Sequence, residues 1–378
     1  QSQRPFYENV SVLFSCPKRL KNKNASDRMK VRKRLSNTGG VRMIKLKDIA
    51  EVVGVSVATV SKALNHSHEI SPKMIERIHK IAGEMGYIAN SSARTLKTNR
   101  SNNVGVIYID KSRAGLGHDY FSTMLSSIQE TLRTKGYDLT FISNVVSEAN
   151  HSLLNHARYR RCDGVIIVTA DFEDKEIIEL VNSEMPVVVI DHIFDNKTAI
   201  MSDNTMGLKK IVEHVYDKGH RNIAFIHGEM TSVTKDRLTA FYDTCKRLGI
   251  KVNPENIKQA LYHIPKYSGR ATRELLALKD VPTCIISPDD YSFVGGLSEI
   301  EKHGLKVPDD ISVVGYDGIY LSRILRPVLT TYVQDSVEIG NQAALRLVDY
   351  IENQHSMKPQ IVMVSGKLQE GSTVKDLN

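Results

Sequence analysis

Cysteine is scarce in this 378-residue sequence, which holds only Cys16, Cys162, Cys245 and Cys284. These lie far apart, form no C-x-x-C pair and have no histidine at metal-ligand spacing. The sequence therefore predicts reduced thiols, no disulfide framework and no metal centre. Long apolar runs are also lacking: none approaches the roughly 18 residues a membrane helix needs, so no membrane partner is expected. The first residues are basic but contain no apolar segment ending in a small-residue cleavage site, so no secretory signal is read and the cytoplasm is the expected compartment. Catalytic signatures are missing too. There is no G-x-G-x-x-G after the first strand, no G-x-x-x-x-G-K-[ST], no G-x-S-x-G and no H-E-x-x-H, so an enzyme is disfavoured and no cofactor is expected. What is present, 41% hydrophobic and 25% charged residues, is the composition of a globular protein long enough for two or three units.

Positive charge is present but unevenly spread. Residues 1–42 carry 11 Lys/Arg against 2 Asp/Glu, residues 43–100 carry 9 against 5, and residues 101–378 carry 31 against 36. Only the N-terminal quarter is basic, and residues 1–42, without sustained periodicity, read as a disordered tail. Gly39-Gly40-Val41-Arg42-Met43 could be encoded by a ribosome-binding site ahead of a start codon, which would make Met43 the true start. A basic tail that adds phosphate contacts is the alternative.

From Met43 onward the pattern is helical and short. Leu46, Ile49, Ala50 and Val53 recur at helical spacing and Gly54 ends the run. A second helix is predicted over Val57–Asn65, with Ser56 as N-cap and Val60 and Leu64 buried. Opposite that stripe lie Val57, Ala58, Ser61, Lys62 and Asn65, a small and polar face. Such a face can enter a major groove, where Lys62 donates to guanine and the apolar groups meet thymine methyls. A third helix starts at Ser71-Pro72 and stops at Gly86. Three short helices with a tight first turn describe a helix-turn-helix unit.

After Asn90 the segment SSARTL has helical potential but little apolar surface, and alone it reads equally as a linker. The period then changes. Val104–Ile109, Leu139–Ile142, Gly164–Val168, Val187–Ile190, Ile223–Ile226, Cys284–Ile286 and Ile311–Val314 are short, continuously apolar runs separated by helix-like segments. They predict parallel strands buried on both faces in α/β units.

Leu46–Asn65 (LKDIAEVVGVSVATVSKALN), Ile70-Ser71-Pro72 and Met85–Asn90 (MGYIAN) closely resemble the headpiece of the lactose/galactose repressor family. That resemblance places Val57, Ala58 and Lys62 at base-reading positions and Thr59 and Asn65 on phosphates; Lys47, Ser61, Tyr87 and Asn90 join the implied DNA contacts. Lys62 departs from the commoner Arg and offers a point donor rather than a bidentate fork. Asn90–Leu96 is similar to the family's hinge helix, with Leu96 as the minor-groove wedge and Ala93 allowing close approach.

The resemblance continues, more weakly, through Lys218–Ala224 (KGHRNIA), Val307–Val313 (VPDDISV), Val313–Asp317 (VVGYD) and Pro327–Thr331 (PVLTT). It implies a two-lobed core, like periplasmic sugar-binding proteins, closing on a small effector. Asp317, Asp289 and Asp191 would accept from sugar hydroxyls, Arg237 would donate as a fork, and Tyr120 and Phe121 would offer aromatic faces. Tyr120 and Phe121 also read as ordinary core aromatics. Asp289 stands where the family often has Asn, Gly117-His118-Asp119 replaces the common Asn-Pro, and Ile264 and Ser336 stand where some relatives have aromatics.

The division expected is a tail over 1–42, a helix-turn-helix domain over 43–88, a hinge over 89–101 and a core over 102–378. Within the core, one lobe takes about 102–201 and 331–360, the other about 202–330 and 361–370. The function implied is a homodimeric repressor of carbohydrate genes, binding a near-palindromic operator under control of a sugar-like effector. A sugar-binding protein without DNA function and a sugar-active enzyme are the competing readings. With no leucine heptads in Gly366–Asn378, no tetramer is expected.

Overall fold

The computed structural model describes residues 44–65, 67–87, 100–109, 115–143, 152–353 and 358–378. Met43, Cys16, the basic tail and the hinge residues Asn90, Ala93 and Leu96 lie outside them. The chain divides into two compact units, residues 1–94 and 95–378.

The first unit contains three helices, α1 (Leu46–Val53), α2 (Val57–Leu64) and α3 (Pro72–Met85). Gly54 and Gly86 end α1 and α3 in left-handed conformations at φ 78° and 69°, a region glycine enters without a Cβ clash. Ser56 caps α2 by accepting from the Thr59 N–H at 3.0 Å. Ser71 occupies the corresponding place before α3 but makes no side-chain cap, and Pro72 at the first helical position removes one donor that would need it. Ile49, Val60, Ala63 and Ile78 are fully buried, and Ala50, Val53, Ile81 and Ala82 nearly so. Leu64, expected in the buried stripe, is only partly buried; the neighbouring Ala63 takes the central place.

The second unit is built as two three-layer lobes. The first sheet runs β11-β5-β4-β3-β1-β2 with every pairing parallel. Its strands are β1 (Asn103–Tyr108), β2 (Asp138–Phe141), β3 (Gly164–Thr169), β4 (Val187–Ile190), β5 (Thr198–Ser202) and β11 (Ile361–Val364). Because side chains alternate, each apolar run supplies both faces. Val104, Val106, Ile166 and Val188 pack under α4 (Asp119–Thr134) and α12 (Ser336–Glu352). Ile107, Val165, Ile167 and Val189 pack under α5 (Leu153–Tyr159) and α6 (Lys175–Asn182).

The second sheet runs β12-β10-β9-β8-β6-β7, with β6 (Ile223–His227), β7 (Ile257–Gln259), β8 (Cys284–Ile286), β9 (Ser312–Asp317), β10 (Thr330–Val333) and β12 (Lys367–Gln369). It is parallel except for the antiparallel edge strand β12, a departure from the all-parallel expectation. Its two faces are covered by α7 (Asn204–Asp217) with α8 (Ser232–Arg247), and by α9 (Pro265–Leu276) with α10 (Asp290–Lys302). The short helix α11 (Tyr320–Ile324) follows β9. Where α9 and α10 cross, a Cβ on Gly295 would lie 1.8 Å from the Pro265 carbonyl oxygen, so only glycine lets the backbones meet.

The chain passes between the lobes three times, after β5, after β10 and after β11. Residues 330–333 therefore pair in the second sheet and 361–364 in the first, so the lobe exchange falls a few residues from the division expected in sequence. All three connections leave the carboxyl ends of strands. In open α/β sheets, ligands bind at those ends.

Candidate functional site

In the first unit, the face of α2 opposite the core is open. Val57 is 44% exposed, and Ala58, Lys62 and Asn65 are exposed with it, while Ser61 and Thr59 are half-buried. An exposed β-branched residue opening a helix in a unit this small serves no packing purpose here, which leaves its methyl groups available to a partner. Thr59 shares its hydroxyl with Ser56 Oγ at 2.9 Å, and Asn65 Nδ2 donates to the Ser61 carbonyl at 2.8 Å. Lys62 is ion-paired with Glu69, an engagement that the helix pattern alone does not show. Lys47 is exposed on α1, and Tyr87 packs partly buried against the helical core.

In the second unit, the expected effector residues gather from both lobes. Arg237, 5% exposed, donates from Nε to Asn204 Oδ1 at 2.8 Å and from Nη1 to the Pro288 carbonyl at 3.1 Å. Its guanidinium lies 3.6 Å from the Tyr316 ring centroid, a stacked cation–π contact that fixes the fork. Those two bonds leave Nη2 without an acceptor among the described residues.

The acids around it differ in how they are held. Asp317, the last residue of β9, accepts from Gln334 Nε2 at 2.7 Å. Its burial, aided by the nearby Asp289 charge, pushes the carboxyl up to about 7 against the opposing pull of His263 and Arg237. Asp191, just beyond β4, accepts from the Ser202 N–H at 2.7 Å; burial raises its pKa, with that bond and Arg237 opposing. Asp289 caps α10, accepting from Ser292 N–H and Oγ, each at 2.7 Å, and from His263 N–H at 3.0 Å. Burial alone would raise Asp289, but His263 outweighs it and holds the carboxyl low, at about 2. Asp289 thus has a capping task that sequence reading does not assign.

Three residues of this group have left-handed backbones: Asp191 at φ 55°, His263 at φ 59° and Asp317 at φ 103°. Such conformations cost a non-glycine residue about 1–3 kcal/mol each and persist where surrounding structure imposes them, often at ligand sites.

Tyr120 and Phe121 both sit at the lobe junction, with different surroundings. Tyr120 is 7% exposed within the first lobe's core, and its buried hydroxyl has no hydrogen-bond partner among the described residues. Phe121 is partly buried in an aromatic group with Tyr108, His118 and His263, at centroid distances of 5.3, 5.5 and 5.7 Å. A cavity of about 830 Å³ opens beside Tyr120 and Asp317, lined also by the crossover segments at 333–337 and 365–367. Phe121, Asp191, Arg237 and Asp289 do not line it.

Sequence reasoning missed Asn204, His263, Tyr316, Gln334 and Tyr262, whose ring centroid lies 5.6 Å from the Arg237 guanidinium and whose hydroxyl meets Thr234 Oγ1 at 2.8 Å. A usable signal existed: Gln334 directly follows β10, Asn204 lies two residues past the end of β5 and His263 lies in the loop after β7, all at carboxyl ends of strands.

A helix-turn-helix unit and a two-lobed cleft domain in one chain define a class, the effector-controlled transcription regulators. Residues 45–90 match the bacterial regulatory proteins of the lacI family, and residues 212–374 match a periplasmic binding protein-like domain. The chain is 30% identical over 328 residues to the HTH-type transcriptional repressor PurR of Pasteurella multocida, spanning 85% of this chain and 96% of that protein. The HTH-type transcriptional repressor CytR of Escherichia coli K12 is 29% identical over 333 residues, 87% of this chain and 96% of that protein. The Lac repressor dimer bound to operator and the anti-inducer ONPF superposes with a TM-score of 0.75 at 25% identity, over 88% of this chain and 100% of that one. A LacI family regulator from Enterococcus faecium with bound ribose shares the fold, with a TM-score of 0.63 at 22% identity over 73% of this chain and 100% of that one. The chain belongs to the lacI family and is a DNA-binding transcriptional regulator, not an enzyme. No described helix is long and apolar enough to cross a membrane.

Proposed function

We propose that this regulator is a cytoplasmic homodimeric repressor whose paired headpieces read a near-palindromic operator and whose core binds a sugar or sugar derivative. Residues 43–88 form the reading domain, 89–101 the hinge and 102–378 the sensing and dimerising core. Val57, Ala58 and Lys62 face base edges, with Lys47, Thr59, Ser61, Asn65, Tyr87 and Asn90 around them and Ala93 and Leu96 in the minor groove. The reading is supported by the open, small-residue face of α2 and by the Lac repressor dimer's operator complex.

For the effector, the carrying observation is the stacked, buried Arg237 fork among Asp191, Asp289 and Asp317, with the Tyr120 hydroxyl unsatisfied beside a cavity. The arginine fork offers donors and the carboxyls acceptors, the two kinds of partner that hydroxyl groups take. The ribose in the Enterococcus relative agrees with that chemistry. Sugar binding changes the relative orientation of the lobes and hence the spacing of the hinges, and operator and sugar affect each other's affinity by one factor.

Selection from random DNA with protein starting at Met43 tests the first half, and an enriched palindrome is expected. Thermal unfolding in the presence of individual sugars tests the second, because a ligand of the folded core raises the melting temperature. Selection without any enriched palindrome would sink the operator reading.

A further inference from the structure

We propose that His118, His263, Asp289 and Asp317 form a site for one divalent transition-metal ion of the zinc class, bridging the two lobes. One ligand-type atom from each of the four lies within 4.8 Å of all the others. His118, Asp289 and Asp317 are buried and His263 is half-buried, so bulk water does not compete freely for an ion there. The proposal deepens the cleft reading, since it shares Asp289 and Asp317 with the proposed sugar contacts, but it does not depend on the ligand being a sugar.

The donor set selects the ion. Two imidazoles with two carboxylates suit zinc, cobalt or nickel, whereas calcium and magnesium favour all-oxygen shells. Tetrahedral zinc has bonds of about 2.0–2.2 Å, which places its ligand atoms about 3.3 Å apart. The four atoms lie within 4.8 Å of one another, wider than that spacing, so an ion would have to draw them together.

The supports for such a shell are already in place. Asp289 is oriented by Ser292 and by the His263 N–H, and Asp317 by Gln334 at 2.7 Å. Asp289 Oδ2 already accepts from both Ser292 Oγ and the His263 N–H, so a cation would meet Asp289 through Oδ1 and Asp317 through a carboxylate oxygen with a lone-pair direction to spare. Four carboxyls, of the buried Asp289, Asp290 and Asp317 and the half-buried Asp191, gather in this region, and an ion that displaces their protons would relieve the cost of burying them. The His118 and His263 rings meet at 4.0 Å and 61°, bringing an imidazole of the first lobe to the three ligands of the second. An edge-to-face ring contact accounts for that packing alone; it does not account for two carboxylates converging on the same point.

Untagged full-length protein, stripped of metal by chelation, is titrated with Zn²⁺ by calorimetry and with Co²⁺ by visible absorption. One ion per chain is expected, with a cobalt d–d band and no thiolate charge-transfer band. His118→Ala and His263→Ala are each expected to weaken binding by about 100-fold or more while the far-ultraviolet spectrum stays native. Asp317→Asn provides a third variant, chosen over Asp289 because Asp289 also caps α10. No bound ion, an ion that survives both histidine substitutions, or a thiolate band overturns the proposal. Sugar-induced stabilisation measured on the same proteins separates the two readings: a response to sugar without metal binding removes only the ion, and metal binding without a sugar response removes only the sugar.

Discussion

Glu69→Gln should tighten operator binding. In the structure Lys62 is ion-paired with Glu69 across an exposed surface, the two side chains being 47% and 67% accessible. A lysine meant for a guanine edge must leave that partner on DNA. An exposed pair of this kind contributes about 0.2–1 kcal/mol. Two headpieces act in a dimer, so releasing both lysines is worth about 0.4–2 kcal/mol, or about twofold to about 30-fold in affinity at 1.4 kcal/mol per factor of ten. Glutamine keeps the shape and removes only the charge. The assay is fluorescence anisotropy on the selected operator at fixed salt, with the wild type, Glu69→Gln, Lys62→Ala and the double variant. The gain should vanish in the Lys62→Ala background, because there is no lysine to release. Unchanged affinity, or a gain of equal size without Lys62, refutes the reasoning; the second result would mean that Glu69 merely repels phosphates.

Gly295→Ala places a Cβ against the Pro265 carbonyl and forces α9 from α10; overpacking of this kind costs about 1–3 kcal/mol, so calorimetry should show the core's melting temperature falling by about 2–12 °C. Arg237→Met should weaken the stabilising sugar by about 30-fold to several thousand-fold, the 2–5 kcal/mol typical of a truncated buried charge partner, and isothermal titration that finds wild-type affinity would contradict its role. Asp317 has its carboxyl raised to about 7, so the folded core holds a proton that the unfolded chain has released. Its stabilising contribution is present below about pH 4 and is lost as pH rises through 7, so the wild type should lose stability relative to Asp317→Asn across that window in denaturant titrations.

The headpiece was legible because every local signal agrees there: helical spacing at Ile49, Ala50 and Val53, a Ser56 cap, and stops at Gly54 and Gly86. Continuously apolar interior strands were legible because burial on both faces demands such runs, as at Val187–Ile190, whereas β5 and β10, whose runs are broken by Thr and Ser, were not read as strands. Edge strands carry no such demand. β11 alternates exposed and buried residues, and β7 and β12 have three residues each, so none is visible without its sheet. In the cleft, strand ends mark the acids by position and place His263 and Tyr262 in the loop after β7, but which of that loop's side chains enters the cleft depends on the closed fold. His118 reads in sequence only as a departure from Asn-Pro; its meeting with His263, 145 residues later, is set by tertiary structure alone. Asp289 likewise reads as a ligand, and only the α10 terminus shows that it is also a cap.

The three passages between lobes set an order on synthesis. The first lobe contains the earlier strands, yet its sheet is completed only by β11 at Ile361–Val364, and α12, which covers one of its faces, follows the second lobe's β10. A ribosome must therefore release nearly the whole chain before either lobe can close. A premature stop between β10 and β11 would leave both sheets short of their edge strands, while the first unit's helices would already have every core residue they need. Nonsense alleles in this stretch should thus yield aggregation-prone cores joined to intact headpieces, rather than a half-functional sensor.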